Sequence, residues 1–473
     1  MEFIKSQKGK DLMTYNGFIY STHSKSATTT YWVCTKYRAG KCRARCQVTD
    51  GEITTTGHHN HTANAAELQV RTRVTSMKAQ AKSTQDLPCQ IIAHCVNNAP
   101  ISVASNLPNS KLMSRAINYA RRKESCAPAN PISLTELEIP AKYTRTSSDE
   151  VFLLANLGTE ERILIFSTVA HLKVLSESSR WHCDGTFKCV PHLFTQLYSI
   201  HAVMNGSTYP LVYALLPNKT EATYIRFFEE LILLATGNNF ILRPQLIMSD
   251  FEAAFINAAS KCFNGVEQKG CYFHFSQCLW RRIQQEPGIV KRYNEDSEFA
   301  LSLRQVAALA FVPVDDVLKS FELLTETEFF VENETLLQPF MDYFEDNWIG
   351  RPQSRRRQTR RKPTFDVNLW NTFAATTEDS ARTNNSVEGW HRRFVALIGS
   401  HHPSLWKFIE KLKEEHAHTT FLLNQATAGT PPPQKRRKYR DLDQRLLNVV
   451  QNFGNISLNE YLTGISCNLS YNV

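Results

Sequence analysis

Two aspartates set in strand-like surroundings constrain this chain more than any other feature of it. Asp184 lies within RWHCDGTFKCV, and Asp250 closes PQLIMSD immediately before a helical pattern. Further strand-like runs, RILIFST, LFTQLYSIHAVM and YPLVYALLP, accompany them, rich in β-branched and aromatic residues. Asn205-Gly206 between the last two runs favours a hairpin, because both residues adopt positive φ readily. Helical patterns follow at EATYIRFFEELILLA and FEAAFINAAS. Neighbouring antiparallel strands, then helix, strand and helix, predict an α/β fold in which helices cover a mixed sheet.

An acid at the carboxyl end of a strand lies where open α/β sheets place their ligand sites. Glu388, in TNNSVEGWHRRFVALIGS, belongs to a helix whose apolar face includes Val387, Phe394, Leu397 and Ile398. At about 100° per residue, Glu388 falls on the flank of that face beside Asn384 and His391. Three carboxylates converging on one point repel one another unless cations lie between them. Two Mg²⁺ ions about 3.5–4 Å apart satisfy that need and favour both the attacking and the leaving oxygen of a phosphodiester. The plain alternatives are a helix N-cap for Asp250 and a surface charge for Glu388.

Near the N-terminus lie Cys34, Cys42, Cys46, His58, His59 and His61. Two thiolates and two imidazoles suit tetrahedral Zn²⁺, and so small a unit has little core without a staple. His59 and His61 share one face of an extended chain, so a single ion can be gripped by both. Free cysteines beside an exposed His-rich turn are the other reading.

The 473 residues predict two to four units. Twelve cysteines without a secretory leader argue for reduced thiols or metal ligands. No apolar run is long enough to span a membrane, so no membrane partner is expected. The net charge of +9 is concentrated rather than spread, and a basic surface suits a polyanion. SKLMSRAINYARRKE (110–124) reads as a basic amphipathic helix behind Asn109 and Ser110, and the proline-bearing stretch after it reads as linker. RPQSRRRQTRRKP (351–363), with Arg355, Arg356, Arg357, Arg360, Arg361 and Lys362, must be an exposed loop suited to DNA backbone. Lys435, Arg436, Arg437 and Lys438 form a proline-flanked run that reads as a nuclear import signal. A solvated loop without a partner is the alternative for both.

The string YNGFIYSTHSKSATTTYWVCTKYRAGKCRARCQV, with the closing GHHNHT, resembles a FLYWCH zinc finger over about residues 10–65. That resemblance implies Cys34, Cys42, His59 and His61 as structural zinc ligands and sets aside Cys46 and His58. Lys36, Arg38, Lys41, Arg43 and Arg45 surround the ligands and offer a patch for phosphate contacts. Farther on, WHCDGTF, LLPNKTEATYIRFFEEL, LIMSDFEAAF, GCYFHF and RTNNSVEGWHRRF, in that order, resemble a Mutator-like (MULE) transposase domain over about residues 165–410. This resemblance implies an RNase H-like fold whose DDE triad is Asp184, Asp250 and Glu388, holding two Mg²⁺ or Mn²⁺ ions. The long segment before Glu388 fits a helical insertion. Glu345 in YFEDNW is the alternative acid, without the accompanying Asn-Asn and His-Arg-Arg. Cys271 and His274 form a C-x-x-H element expected near the active centre, and His391 and Arg392 are placed to approach a scissile phosphate.

The expected organisation is a finger (1–65), a helical and linker region (66–150), an RNase H-like domain (151–415) with a helical insertion at about 275–378, and a basic tail with a C-terminal helix (416–473). The expected function is a nuclear DNA transposase that binds double-stranded DNA ends and target as a homo-oligomer, then cleaves and joins strands. A domesticated transposase acting as a non-catalytic DNA-binding regulator is the alternative.

Overall fold

A computed structural model of the chain describes residues 2–5, 10–84, 86–125, 128–354, 357–378 and 380–471. It divides into two compact units, Met1–Ala129 and Asn130–Val473.

The first unit opens with six strands, β1 (Glu2–Lys5), β2 (Asp11–Tyr15), β3 (Phe18–Lys25), β4 (Thr29–Cys34), β5 (Arg45–Thr49) and β6 (Glu52–Thr56). They form one sheet in chain order, each pair antiparallel. Asn16-Gly17 and Asp50-Gly51 make the tight turns β2–β3 and β5–β6, with φ of 49° and 77°, then 49° and 88°. Met13, Tyr20, Trp32, Cys34, Cys42 and Cys46 form the small core against this sheet. Helices Ala65–Ser83, Pro88–Val96 and Ser110–Ser125 follow, with the short helix Ile101–Ala104 before the last of them. They enclose Met77, Ile91, Ile92, Met113 and Ile117. The basic helix expected at 110–124 is present, and Asn109 Oδ1 accepts the Leu112 N–H at 3.0 Å. Part of its charge serves the fold, since Arg121 donates to the Ala81 and Thr84 carbonyls.

The second unit is built on β7 (Leu153–Leu157), β8 (Ile163–Phe166), β9 (Arg180–Thr186), β10 (Gln196–Met204), β11 (Ser207–Leu216), β12 (Leu246–Ser249) and β13 (Glu267–Gly270). Their order across the sheet is β13-β12-β9-β10-β11-β8-β7. β12 runs parallel to both β9 and β13, and the other pairs are antiparallel, so the sheet is mixed as expected. Asn205 and Gly206, with φ of 49° and 75°, turn β10 into β11.

Alternation along the strands sends side chains to two buried faces. Trp181, Cys183, Tyr198 and Ile200 meet the helices Val169–Glu177, Glu221–Gly237 and Ala253–Cys262. Leu164, Phe166, Leu197, Tyr213 and Leu215 meet Asn385–Ile398 and Leu405–Thr427. Between β13 and Asn385–Ile398 the chain makes a separate helical body, including Tyr272–Ile283, Ser297–Ala308 and Glu334–Phe344. Its core contains Phe275, Leu303, Phe311, Trp348 and Trp370. The last helices, Arg437–Val450 and Leu458–Ser466, complete that same core through Leu446, Val450, Tyr461, Leu462 and Ile465.

One local expectation is corrected. The basic run 351–363 is not wholly loop, because Pro352–Ser354 and Arg357–Arg360 pair as antiparallel strands. Arg360 supplies the physical reason: it turns inward to Glu322 at 2.9 Å and Glu345 at 3.1 Å and also bonds the Gly350 carbonyl.

Candidate zinc site and carboxylate centre

Cys34 closes β4, and Cys42 follows the single helical turn Tyr37–Gly40. Lys41 adopts the left-handed region at φ 50°, which turns the chain so that Cys42 points back into the core. Asn60 Nδ2 donates to the Gly40 carbonyl at 2.9 Å and ties the His59-Asn60-His61 segment to that turn. Cys34 Sγ lies 3.2 Å from His61 Nε2, Cys42 Sγ 3.4 Å from His59 Nδ1, and the two imidazole nitrogens 3.3 Å apart. All four ligand atoms fall within 4.8 Å of one another. Two soft and two borderline donors at this spacing fit one tetrahedral Zn²⁺. Phe18 stacks on His59 with ring centroids 3.5 Å apart, and the Tyr20 hydroxyl lies 2.8 Å from His59 Nε2. Cys46 is buried opposite Trp32, its thiol pushed up by that burial, and His58 is exposed; neither joins the group. Arg38, Lys41 and Arg43 are exposed around it, while Lys36 is half-buried and Arg45 lies over the Tyr37 ring at 4.4 Å.

In the second unit, β9 carries Trp181 and Cys183 to one face and His182 and Asp184 to the other. The parallel register of β12 on β9 pairs Met248 with His182, so Asp250 comes level with Asp184 two residues on. Glu388 approaches from the Asn385–Ile398 helix. Two bonds fix the start of that helix: Asn384 Nδ2 donates to the Cys183 carbonyl at 3.1 Å, and the Asn384 N–H donates to Cys271 Sγ at 3.1 Å. Cys271 is buried and its thiol is pushed up to about 12 by desolvation, so it accepts here as a neutral sulfur. His274 Nε2 lies 3.5 Å from Glu388 Oε1, and His391 Nδ1 lies 3.4 Å from Asp184 Oδ2. His391 Nε2 continues to Ser199 Oγ at 3.4 Å, which also contacts His201. The C-x-x-H element thus touches both the backbone before Glu388 and its carboxylate.

Burial, with the charges of Asp184 and Glu252, pushes the Asp250 carboxyl up to about 7. Burial and then Asp184 raise Glu388 as well, against the opposing fields of His274 and Arg392. The Asp184 charge is therefore felt by both of the other acids. Their oxygens are not drawn as close as the zinc ligands, which among the described residues are the one group meeting the 4.8 Å spacing. Hard oxygen donors gathered round one negative charge fit a divalent cation. Glu345 pairs with Arg360 inside the helical body.

Sequence reasoning passed over Lys219 and Glu252, which belong to the same corner. Lys219 Nζ lies 3.2 Å from Glu252 Oε2, and Tyr224 donates its hydroxyl to Glu252 Oε1 at 2.8 Å. The signal was the acid two residues after Asp250, at the start of the FEAAF helix.

Of the basic runs, Arg361 and Lys362 are exposed, and so are Lys435, Arg436, Arg437 and Lys438. Lys435 contacts Asp443 at 2.9 Å. Arg355, Arg356 and the Arg357 side chain lie outside the described residues. Arg392 is exposed beside Glu388. No helix among the described residues is long and apolar enough to cross a membrane.

The FLYWCH zinc finger domain family matches residues 3–61, and the MULE transposase domain family matches residues 180–278. The second match includes Asp184, Asp250, Cys271 and His274 and ends before Glu388. No curated protein matches the chain. A stretch that matches the FLYWCH finger therefore precedes one that matches the MULE transposase domain, which supports a transposase-related protein. The match and the Cys34, Cys42, His59, His61 cluster together support a structural zinc.

Proposed function

We propose that this protein is a Mutator-like DNA transposase that binds double-stranded DNA ends and cuts them at a centre formed by Asp184, Asp250 and Glu388. The observation that carries the reading is the parallel pairing of β12 with β9, which brings Asp250, just past the end of β12, into the field of Asp184, with the Glu388 helix tied to β9 beside them. The strand order β11-β10-β9-β12-β13, antiparallel through β9 and parallel beyond it, supports an RNase H-like fold for the core.

Asp184, Asp250 and Glu388 would hold two Mg²⁺ or Mn²⁺ ions, which supply stabilisation of the attacking and leaving oxygens of a phosphodiester. The chain itself does the positioning. Cys271 and Asn384 set the pitch of the Glu388 helix. His274 and His391 orient one carboxylate each. Arg392, exposed one residue beyond His391, is available to a phosphate. Cleavage would free a 3′-hydroxyl for transfer to target DNA. End binding falls to the finger, with Arg38, Lys41 and Arg43, and to the Ser110–Ser125 helix. Paired ends call for a homo-oligomer, and such work for a nuclear location with Lys435–Lys438 as import signal.

Titration of the full chain with Mn²⁺, followed calorimetrically after saturation with zinc, tests the centre. Two Mn²⁺ sites lost together in Asp250→Asn are expected. Absence of Mn²⁺ binding in wild type, with duplex DNA still bound, would turn the reading to a non-catalytic DNA-binding regulator.

A further inference from the structure

Phe187 stands three residues after Asp184 and is 43% exposed, although it is rooted in a rigid place. Cys189 and Val190, just beyond it, are buried, and the Val190 N–H reaches back to the Phe187 carbonyl at 3.4 Å. Lys219 covers part of the ring, with Nζ 4.0 Å from its centroid. That lysine sits in a loop fixed by Asn218, whose Oδ1 accepts the Thr220 N–H at 3.1 Å and the Thr223 hydroxyl at 2.6 Å. Its ammonium also reaches Glu252, and its field opposes the rise of the Asp250 carboxyl. A hydrophobic core accounts for none of this: an aromatic ring stays in water beside an acidic centre, topped by a cation that is itself 40% exposed.

We propose that Phe187 and Lys219 form a nucleotide subsite beside the carboxylates, for an unpaired base of the DNA strand next to the bond to be cut. The ring stacks the base, and the ammonium neutralises the phosphate on it. Every base has a π-face, so such a subsite reads no sequence, and its contribution is to hold an unstacked strand at the centre. Phe187 and Lys219 are positioning residues on this account. The subsite rests on the DNA-cleavage reading for its purpose but is measured independently of cutting.

The probes are a short single-stranded poly-dT and an abasic strand of equal length and phosphate count, bound to the full-length protein in Ca²⁺. Wild type is expected to hold poly-dT roughly 5- to 100-fold more tightly than the abasic strand. Phe187→Ala should erase that preference. Lys219→Gln should weaken both strands by one factor and reduce the salt dependence by about one phosphate contact. Both side chains are partly in solvent, so each variant is expected to fold, and circular dichroism checks it. A preference retained in Phe187→Ala, or absent from wild type, overturns the subsite. Failure of the cleavage reading shows differently, as wild-type protein that prefers poly-dT yet never cuts DNA.

Discussion

Tyr20 lies opposite Cys34 on paired strands, and its hydroxyl reaches the ring nitrogen of His59 that does not face the other ligands. An outer partner of this kind fixes which imidazole nitrogen is left for the metal and holds the ring plane. Tyr20→Phe removes the contact and keeps the ring, so zinc affinity should fall about 10- to 100-fold. Competition with a chromophoric chelator measures it, and unchanged affinity would reduce Tyr20 to core packing. Residues differ in how far their roles could be read in advance. Asp184 and Asp250 were visible because acids interrupt apolar strands there. His59 and His61 were visible because their alternation puts both on one side. Arg360 misled, because a basic run reads as solvent-facing until Glu322 and Glu345, distant in sequence, are known to receive one of its charges.

At the scale of elements, the Leu405–Thr427 helix meets the Val169–Glu177 helix through a pair of buried histidines. His416 and His171 have ring centroids 4.2 Å apart, and His171 also contacts Thr420 at 3.0 Å. Burial, and for His171 the neighbouring His416, lowers them to about 3 for His171 and about 4 for His416. Both bases are thus neutral when folded and gain a proton on unfolding once the pH falls below their ordinary value near 6.5. The unfolded state then binds more protons, so stability is complete above about pH 6.5 and declines as the pH falls towards 4. Each histidine contributes a slope of up to about 1.4 kcal/mol per pH unit. Urea unfolding of the second unit's transition at pH 7 and pH 5 should show this decline, and His171→Leu should make it shallower. Equal slopes in the two proteins would contradict the assignment. The main strands β8 to β12 were legible from apolar runs and the Asn205-Gly206 turn. β13 was not, because Glu267–Gly270 reads EQKG and owes its pairing wholly to β12. The Ala65–Ser83 helix was equally hidden, since it buries little beyond Met77 and Ala81 and so shows no clear apolar stripe.

For the whole molecule, two separately cored units divide the labour proposed for them. One holds a zinc-stapled sheet with a small helical core after it; the other holds the carboxylate sheet with a helical body inserted before Glu388. The final helices are not a loose tail: Tyr461 donates to the Phe311 carbonyl, and Tyr471 to Leu303 at 3.3 Å, sealing the inserted body from the far end of the chain. Composition alone does not reveal such closure, because amphipathic stretches do not name the core they join. The insertion also explains how residues as distant in sequence as Cys271 and Asn384 come into contact: the chain leaves the sheet, builds a second core and returns beside its point of departure. The most direct measurement is strand cleavage by the full-length protein in Mg²⁺ or Mn²⁺, on duplex DNA taken from the sequences flanking its gene, with Asp184→Asn in parallel. Wild type should cut and the variant should bind equally well without cutting, a loss of at least about a thousandfold if the acid supplies several kcal/mol of transition-state stabilisation. Equal cleavage by both proteins would contradict the assignment of Asp184 and, with it, the carboxylate centre as the seat of chemistry.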